Sequence, residues 1–215
     1  MPNIRQPGPH SVIVQAIPDE LDPINGFDIR TYCFDVTCDE FSYIEPCDTL
    51  DGSTGFESSS GEIVAAFDNL NALDPFPIHR IDHSFKNPGA GNVPYRLAIY
   101  KDDGNGRPGT ALYISDELST PAGNSSVQDA SHEVNTLVEI APLSRFYVGY
   151  VQSTSANIHV SYQDEAPVRS NTFFFSNSFT SNDWTDFSDS SKNYRIDISP
   201  RTSSGSSSLV KFDKS

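Results

Sequence analysis

Asp102-Asp103-Gly104-Asn105-Gly106 groups Asp102, Asp103 and Asn105, hard oxygen donors of the kind calcium takes. The run does not keep the EF-hand order of acids at alternate positions with glycine sixth. The same residues make a tight hairpin turn, with Gly and Asn supplying positive φ. The expectation is a turn, with calcium as the candidate ligand if any metal binds. His79 and His83 share one face of a predicted strand but lie roughly 13 Å apart at ~3.3 Å per residue. One metal cannot bridge that span, and both read as partly exposed histidines. Asp183, Asp186 and Asp189 flank Trp184 and Phe187, a set that could line a sugar site. A glycosidase needs paired carboxylates about 5–9.5 Å apart across a cleft. The other reading has Trp184 plugging the end of a sandwich.

No GxSxG, HExxH, P-loop or GxGxxG is present, so no catalytic residue and no cofactor are expected. Cys33, Cys38 and Cys47 fall within fifteen residues, without CxxC spacing and without a neighbouring histidine. Free thiols, one local disulfide and part of a zinc site all remain open.

The elements that must position these groups read as β-structure. Fifteen prolines and 13 glycines are spread along all 215 residues, which leaves little room for a long helix. The 14 Phe and 9 Tyr suit pleated surfaces. Nine short runs, each bounded by turn residues, predict strands. They are Ile63–Phe67, Ile78–Phe85, Tyr95–Tyr100, Ala111–Ile114, Val134–Ile140, Phe146–Val151, Ile158–Tyr162, Thr172–Phe175 and Tyr194–Ile198. Val134, Leu137 and Ile140 also fit a short helix. Alternation places Phe173 and Phe175 on one face and Phe174 on the other.

Three segments follow. Residues 1–61 form an extended acidic arm with a Cys-bearing strand and loop, 62–201 an antiparallel jelly-roll-like β-sandwich, and 202–215 a flexible linker and tail. In the arm, Ile4, Val12, Ile13, Val14 and Ile17 are candidate anchors on a partner's sheet edge. Residues 48–61 read as a polar loop unable to bury a core.

The formal net charge is −15, of which residues 1–60 carry −9, with Arg5 and Arg30 as their only bases. That field disfavours nucleic acid and anionic membranes as partners. The first residues lack the apolar core of a signal peptide, and no run approaches the ~18 apolar residues of a membrane span. The expectation is synthesis in a cytoplasm without export by the usual signal.

Tyr95–Leu112, YRLAIYKDDGNGRPGTAL, is similar to a strand, acidic Gly-rich turn and Pro-Gly-Thr re-entry found in bacterial and phage surface jelly-rolls. Arg145–Gln152 (RFYVGYVQ), Ser161–Gln163, Thr172–Phe175, Trp184 and Asn193–Ile198 (NYRIDI) resemble later strands of the same modules. With the arm and the acidity, the resemblance implies a non-catalytic virion protein. The class it points to is a capsid decoration, or cement, protein of a tailed phage: a homotrimer located on the virion that binds the major capsid protein. The alternative it implies is a carbohydrate-binding or host-receptor-binding module, with Tyr147, Tyr162, Phe174 and Trp184 as glycan-facing aromatics.

Overall fold

A computed structural model describes residues 40–45, 48–57, 59–87, 89–178 and 183–202, and the backbone of two further strands at 8–15 and 29–36. In chain order the strands are β1 (Gly8–Gln15), β2 (Ile29–Val36), β3 (Gly52–Thr54), β4 (Gly61–Asp68) and β5 (Phe76–Asn87). They continue as β6 (Val93–Asp102), β7 (Pro108–Ile114), β8 (Leu118–Thr120), β9 (Asn124–Ile140) and β10 (Arg145–Gln152). Last come β11 (His159–Asp164), β12 (Phe173–Ser176), β13 (Thr185–Asp186), β14 (Tyr194–Ile196) and β15 (Ile198–Arg201), with a 3-10 turn at Phe187–Asp189.

Two antiparallel sheets pack as a jelly-roll-like sandwich. The first runs β13-β12-β4-β10-β6-β7, with β8 also on β6. The second runs β14-β11-β5-β15, with β3 on β11 and β9 on β5. The core between them takes Ile63, Ala65 and Phe67 from β4 and Phe146, Val148 and Tyr150 from β10. Facing them are Ile78, Ile81 and Phe85 from β5, Val160 from β11 and Ile198 from β15.

The outer face of the first sheet is covered too. Val64, Ala66, Ala98, Tyr100, Tyr147, Val151, Phe174 and Trp184 form a second cluster there. β4 and β10 are thus buried on both faces, which explains their near-continuous apolar sequences. Phe173 belongs to the inner core, Phe175 packs against it, and Phe174 belongs to the outer cluster, as strand alternation requires.

The structure departs from the sequence reading at several points. The helical alternative for Val134, Leu137 and Ile140 does not hold, since all three lie in β9, where Leu137 is 75% exposed. A bulge between Ile78 and Arg80 resets the alternation of β5, and His83 turns into the core rather than toward solvent.

The sandwich also begins upstream of residue 62. Glu40 bridges to Arg201 on β15, and Phe41 stacks on Phe76 at 5.2 Å. Tyr43 stacks on Phe67 at 5.2 Å, Phe56 packs against the core, and β3 pairs with β11. The segment read as a polar loop therefore contributes to the core, because Phe56 and the β3 pairing fix it there.

Val12, Ile13 and Val14 lie in β1, which pairs in register with β2 of the same chain, Val12 opposite Tyr32. This replaces the extended arm with a hairpin over these residues. Ile4, Ile17, Cys38, Cys47 and the tail from 203 lie outside the described residues.

Candidate functional site

Of the four aromatics expected to face a glycan, the structure buries three. Tyr147 and Phe174 meet edge to face at 5.7 Å in the outer cluster, with 0% and 1% exposure. Trp184 lies edge-on to Tyr100 at 5.8 Å and is also buried. The reason is the second layer of packing: residues on the outer face of a central strand are not free when a loop covers that face. Trp184 lies over the sheet's outer face rather than plugging its end.

The donors named for calcium bond within the chain. Asp102 accepts the Tyr147 hydroxyl at 2.7 Å and the Gly104 amide at 2.6 Å. Asp103 accepts the amides of Asn105 at 2.7 Å and Arg107 at 3.2 Å. These bonds, with Gly104 and Gly106 at φ +93° and +79°, build a turn from the predicted donors. Among the described residues no three His, Cys, Asp or Glu side chains come together to hold a metal. The Asp183, Asp186 and Asp189 set does not converge either. Asp183 and Trp184 line a groove with Asn177, Ser178 and Thr185. Asp186 is buried, accepts the amide of Ser188 at 2.8 Å and caps the 3-10 turn that contains Asp189.

Among the buried titratable groups, Glu62 and His83 are displaced in opposite directions. Burial pushes the Glu62 carboxyl up to about 7, against the opposing effect of the Tyr100 hydroxyl that it accepts at 3.0 Å. Burial lowers His83 to about 4, and its Nε2 lies 2.9 Å from the Tyr95 hydroxyl. On the opposite face of β5, the Ser84 hydroxyl is held by Asp129 at 2.9 Å and by Asp197. It does not pair with an imidazole.

Tyr162 alone of the predicted set reaches the surface, and it has a partner the sequence reading did not assign. Its ring stacks on Tyr194 at 4.3 Å with 21° between the planes. The pairing Asp164↔Tyr194 between β11 and β14 brings the two together. The Tyr194 hydroxyl donates to Thr54 Oγ1 at 3.1 Å. Tyr194 packs edge to face on Phe187 at 5.2 Å, and Phe187 meets Phe173 at 5.8 Å. An aromatic series thus runs from the core to the surface and holds the outer ring in place.

Gly52, opposite Tyr162 on β3, makes room for that ring. A Cβ there would lie 2.5 Å from the tyrosine oxygen and 2.6 Å from Cζ. Exposed carboxylates border the shelf: the Asp51 amide donates to the Tyr162 carbonyl at 2.9 Å, and the Asp164 amide donates to Asp51 Oδ2 at 2.7 Å. Partial burial, then Asp164, Tyr194 and Asp51, raise the Tyr162 hydroxyl above its usual value. Lys192 Nζ sits 5.0 Å from the Phe175 ring centre and donates to the Tyr194 hydroxyl at 3.3 Å. The site gathers two half-buried stacked rings, hydroxyls, two carboxylates and one ammonium on a strand-built base.

No family model matches the chain, and no curated protein matches it. Solved structures do. One holds the cysteine protease and lectin-like domains of Cwp84, a surface-layer associated protein of Clostridium difficile. It is 13% identical, with a TM-score of 0.49, over 80% of this chain and 38% of that one. A second, of the clostridial cysteine protease Cwp84 after propeptide cleavage, is 13% identical with a TM-score of 0.50, over 80% and 42%. The chain spans less than half the length of either, and at this identity the second likeness is one of fold.

Proposed function

We propose that this chain is a non-catalytic binding module that takes up carbohydrate on the shelf of Tyr162 and Tyr194. The sandwich hosts many roles, so the site must carry the reading. The stacked pair at the surface, fixed from beneath by Phe187 and rimmed by Thr54, Asp51 and Asp164, carries it. An aromatic ring offers its face to the C–H side of a pyranose, and nearby polar groups meet the sugar hydroxyls. A glycan array followed by calorimetry tests this. Tyr162→Ala should weaken the best-bound glycan by about tenfold or more. Trp184→Phe, on the buried outer cluster, should leave affinity unchanged. Equal affinity for the Tyr162 variant and wild type would remove the reading.

A second reading is the virion one, a trimeric decoration protein on a phage head. It is favoured by the β1–β2 pair, which stands as its own two-stranded sheet. Such a hairpin is marginal alone and gains stability when a partner surface covers it. Removing residues 1–26 takes β1 away. On this reading the truncated chain no longer attaches to particles made of the major capsid protein, while the sandwich stays folded. Attachment at full occupancy would exclude it.

A further inference from the structure

We infer that the outer face of the second sheet binds a calcium ion through Asp129, Asp197, Ser84 and Ser161. Strand register sets these residues in one row. Ser84 on β5 is paired with Asp129 on β9. On its other side the Ser84 amide donates to the Asp197 carbonyl at 3.5 Å, and the Asp197 amide donates to the Ser161 carbonyl at 2.9 Å. Phe85, Val160, Ile196 and Ile198 belong to the core, so alternation turns Ser84, Ser161 and Asp197 outward together.

The row has a floor and two walls. Ser161 and Ser84 are 0% and 4% exposed, whereas Asp197 is half-buried and Asp129 exposed. The Ser161 hydroxyl has no hydrogen-bond partner, which is costly for a fully buried polar group. Side chains directly opposite on one face of a sheet lie about 4.5–5.5 Å apart at Cβ, which sets this idle oxygen beside Asp197. The Ser84 hydroxyl meets Asp129 at 2.9 Å and also Asp197, yet it has a single proton to give. Its second contact calls for a positive charge between the oxygens. Burial raises the Asp197 carboxyl above its ordinary value, the Ser84 bond opposes this, and Asp129 and Asp82 push it further up. Neither Asp129 nor Asp197 forms an ion pair with a protein cation, Lys86 of β5 included, and Arg80 and Arg201 are held by Asp82. A metal ion in the row would supply the charge, take a lone pair from Ser161 and let both acids ionise. Carboxylates and hydroxyls are hard oxygen donors, and with water on the open side they suit calcium, which takes about six to eight oxygens in flexible geometry.

The test is calorimetry of calcium chloride into the full chain, freed of divalent ions, at about pH 7.5, where carboxylates ionise. One site is expected, with a Kd of about 10⁻⁴–10⁻³ M, as few charged ligands give. Calcium at tenfold over Kd should raise Tm by about 3–6 °C. Magnesium, which sheds its water reluctantly, should bind roughly tenfold more weakly. Asp129→Asn, at an exposed position, should cost calcium affinity about tenfold. Ser161→Ala separates binding from folding: it removes no bond within the chain, so Tm without calcium should equal or exceed wild type. Its calcium affinity should nonetheless fall about threefold or more. A wild-type chain that takes up no calcium overturns the inference, as does wild-type affinity in Asp129→Asn or Ser161→Ala. Equal affinity for magnesium also overturns it, since the net charge of −15 would then be attracting cations without a built site.

Discussion

Tyr100 donates its hydroxyl to the carboxyl of Glu62 at 3.0 Å, on the outer face of the first sheet where Glu62 is 4% exposed. Burial raises that carboxyl to about 7 from an ordinary 4.5. Between those values the folded chain binds a proton that the unfolded chain has released. This contribution to stability is therefore full below about pH 4.5 and lost as pH rises through about 7. Glu62→Gln keeps an acceptor for Tyr100 and removes the charge. The variant should match wild type near pH 4 and exceed it by on the order of 2 kcal/mol near pH 8. Tm across that range checks it, and parallel curves would refute it.

His83 acts in the other direction. Burial holds its imidazole neutral down to about 4, against an ordinary 6.5. Here the unfolded chain binds the extra proton. Stability from this group is full above about pH 6.5 and declines as pH falls toward 4. In an NMR titration the His83 ring signals should stay fixed from about pH 7 to 5. A midpoint near 6.5 in the folded protein would contradict the buried placement.

Gly149 on β10 faces Val64 on β4 across the outer side of the sheet. A Cβ there would lie 2.6 Å from Val64 Cα and closer still to the Ile63 carbonyl oxygen, both of them backbone. Gly149→Ala should cost about 3 kcal/mol or more, as overpacking between central strands does. Gly91→Ala meets nothing within 4 Å and should be near neutral. Chemical denaturation of the pair is the measurement, and equal midpoints would count against this close approach.

Truncation locates the start of the folded body. Removal of residues 1–39 spares Phe41, Tyr43, Phe56 and the Glu45–Arg195 ion pair at 3.0 Å. Removal of residues 1–60 strips all of them and exposes Phe67, Phe146 and Phe173. The shorter deletion should retain a cooperative transition near that of the full chain. The longer one should lower the midpoint steeply or leave no transition at all.

The strands that read clearly were the central ones. β4 and β10 are apolar on both sides because two clusters cover them, so their runs stand out in any window. The first half of β9 was illegible for the opposite reason. It is an edge strand whose Asp129 and Ser131 bond to Ser84 and Asp82 on β5, so its sequence reads as a polar loop. β3 and β8 have three residues each, too few for a period to show. At the site, residue type singled out Tyr162 but also Tyr147 and Phe174, because composition does not reveal that a sheet's outer face is covered. Tyr194 became visible only through strand register, since its partner lies on a strand far upstream in the chain.

Trp184 is the chain's one tryptophan, and it sits at 5% exposure against Tyr100 on the covered side of the first sheet. Its fluorescence is therefore a private signal from that layer. Emission should be blue-shifted in the native protein and move to the red when the layer lifts, whatever occupies the tyrosines of the other sheet. One emission band thus follows the unroofing of that layer alone.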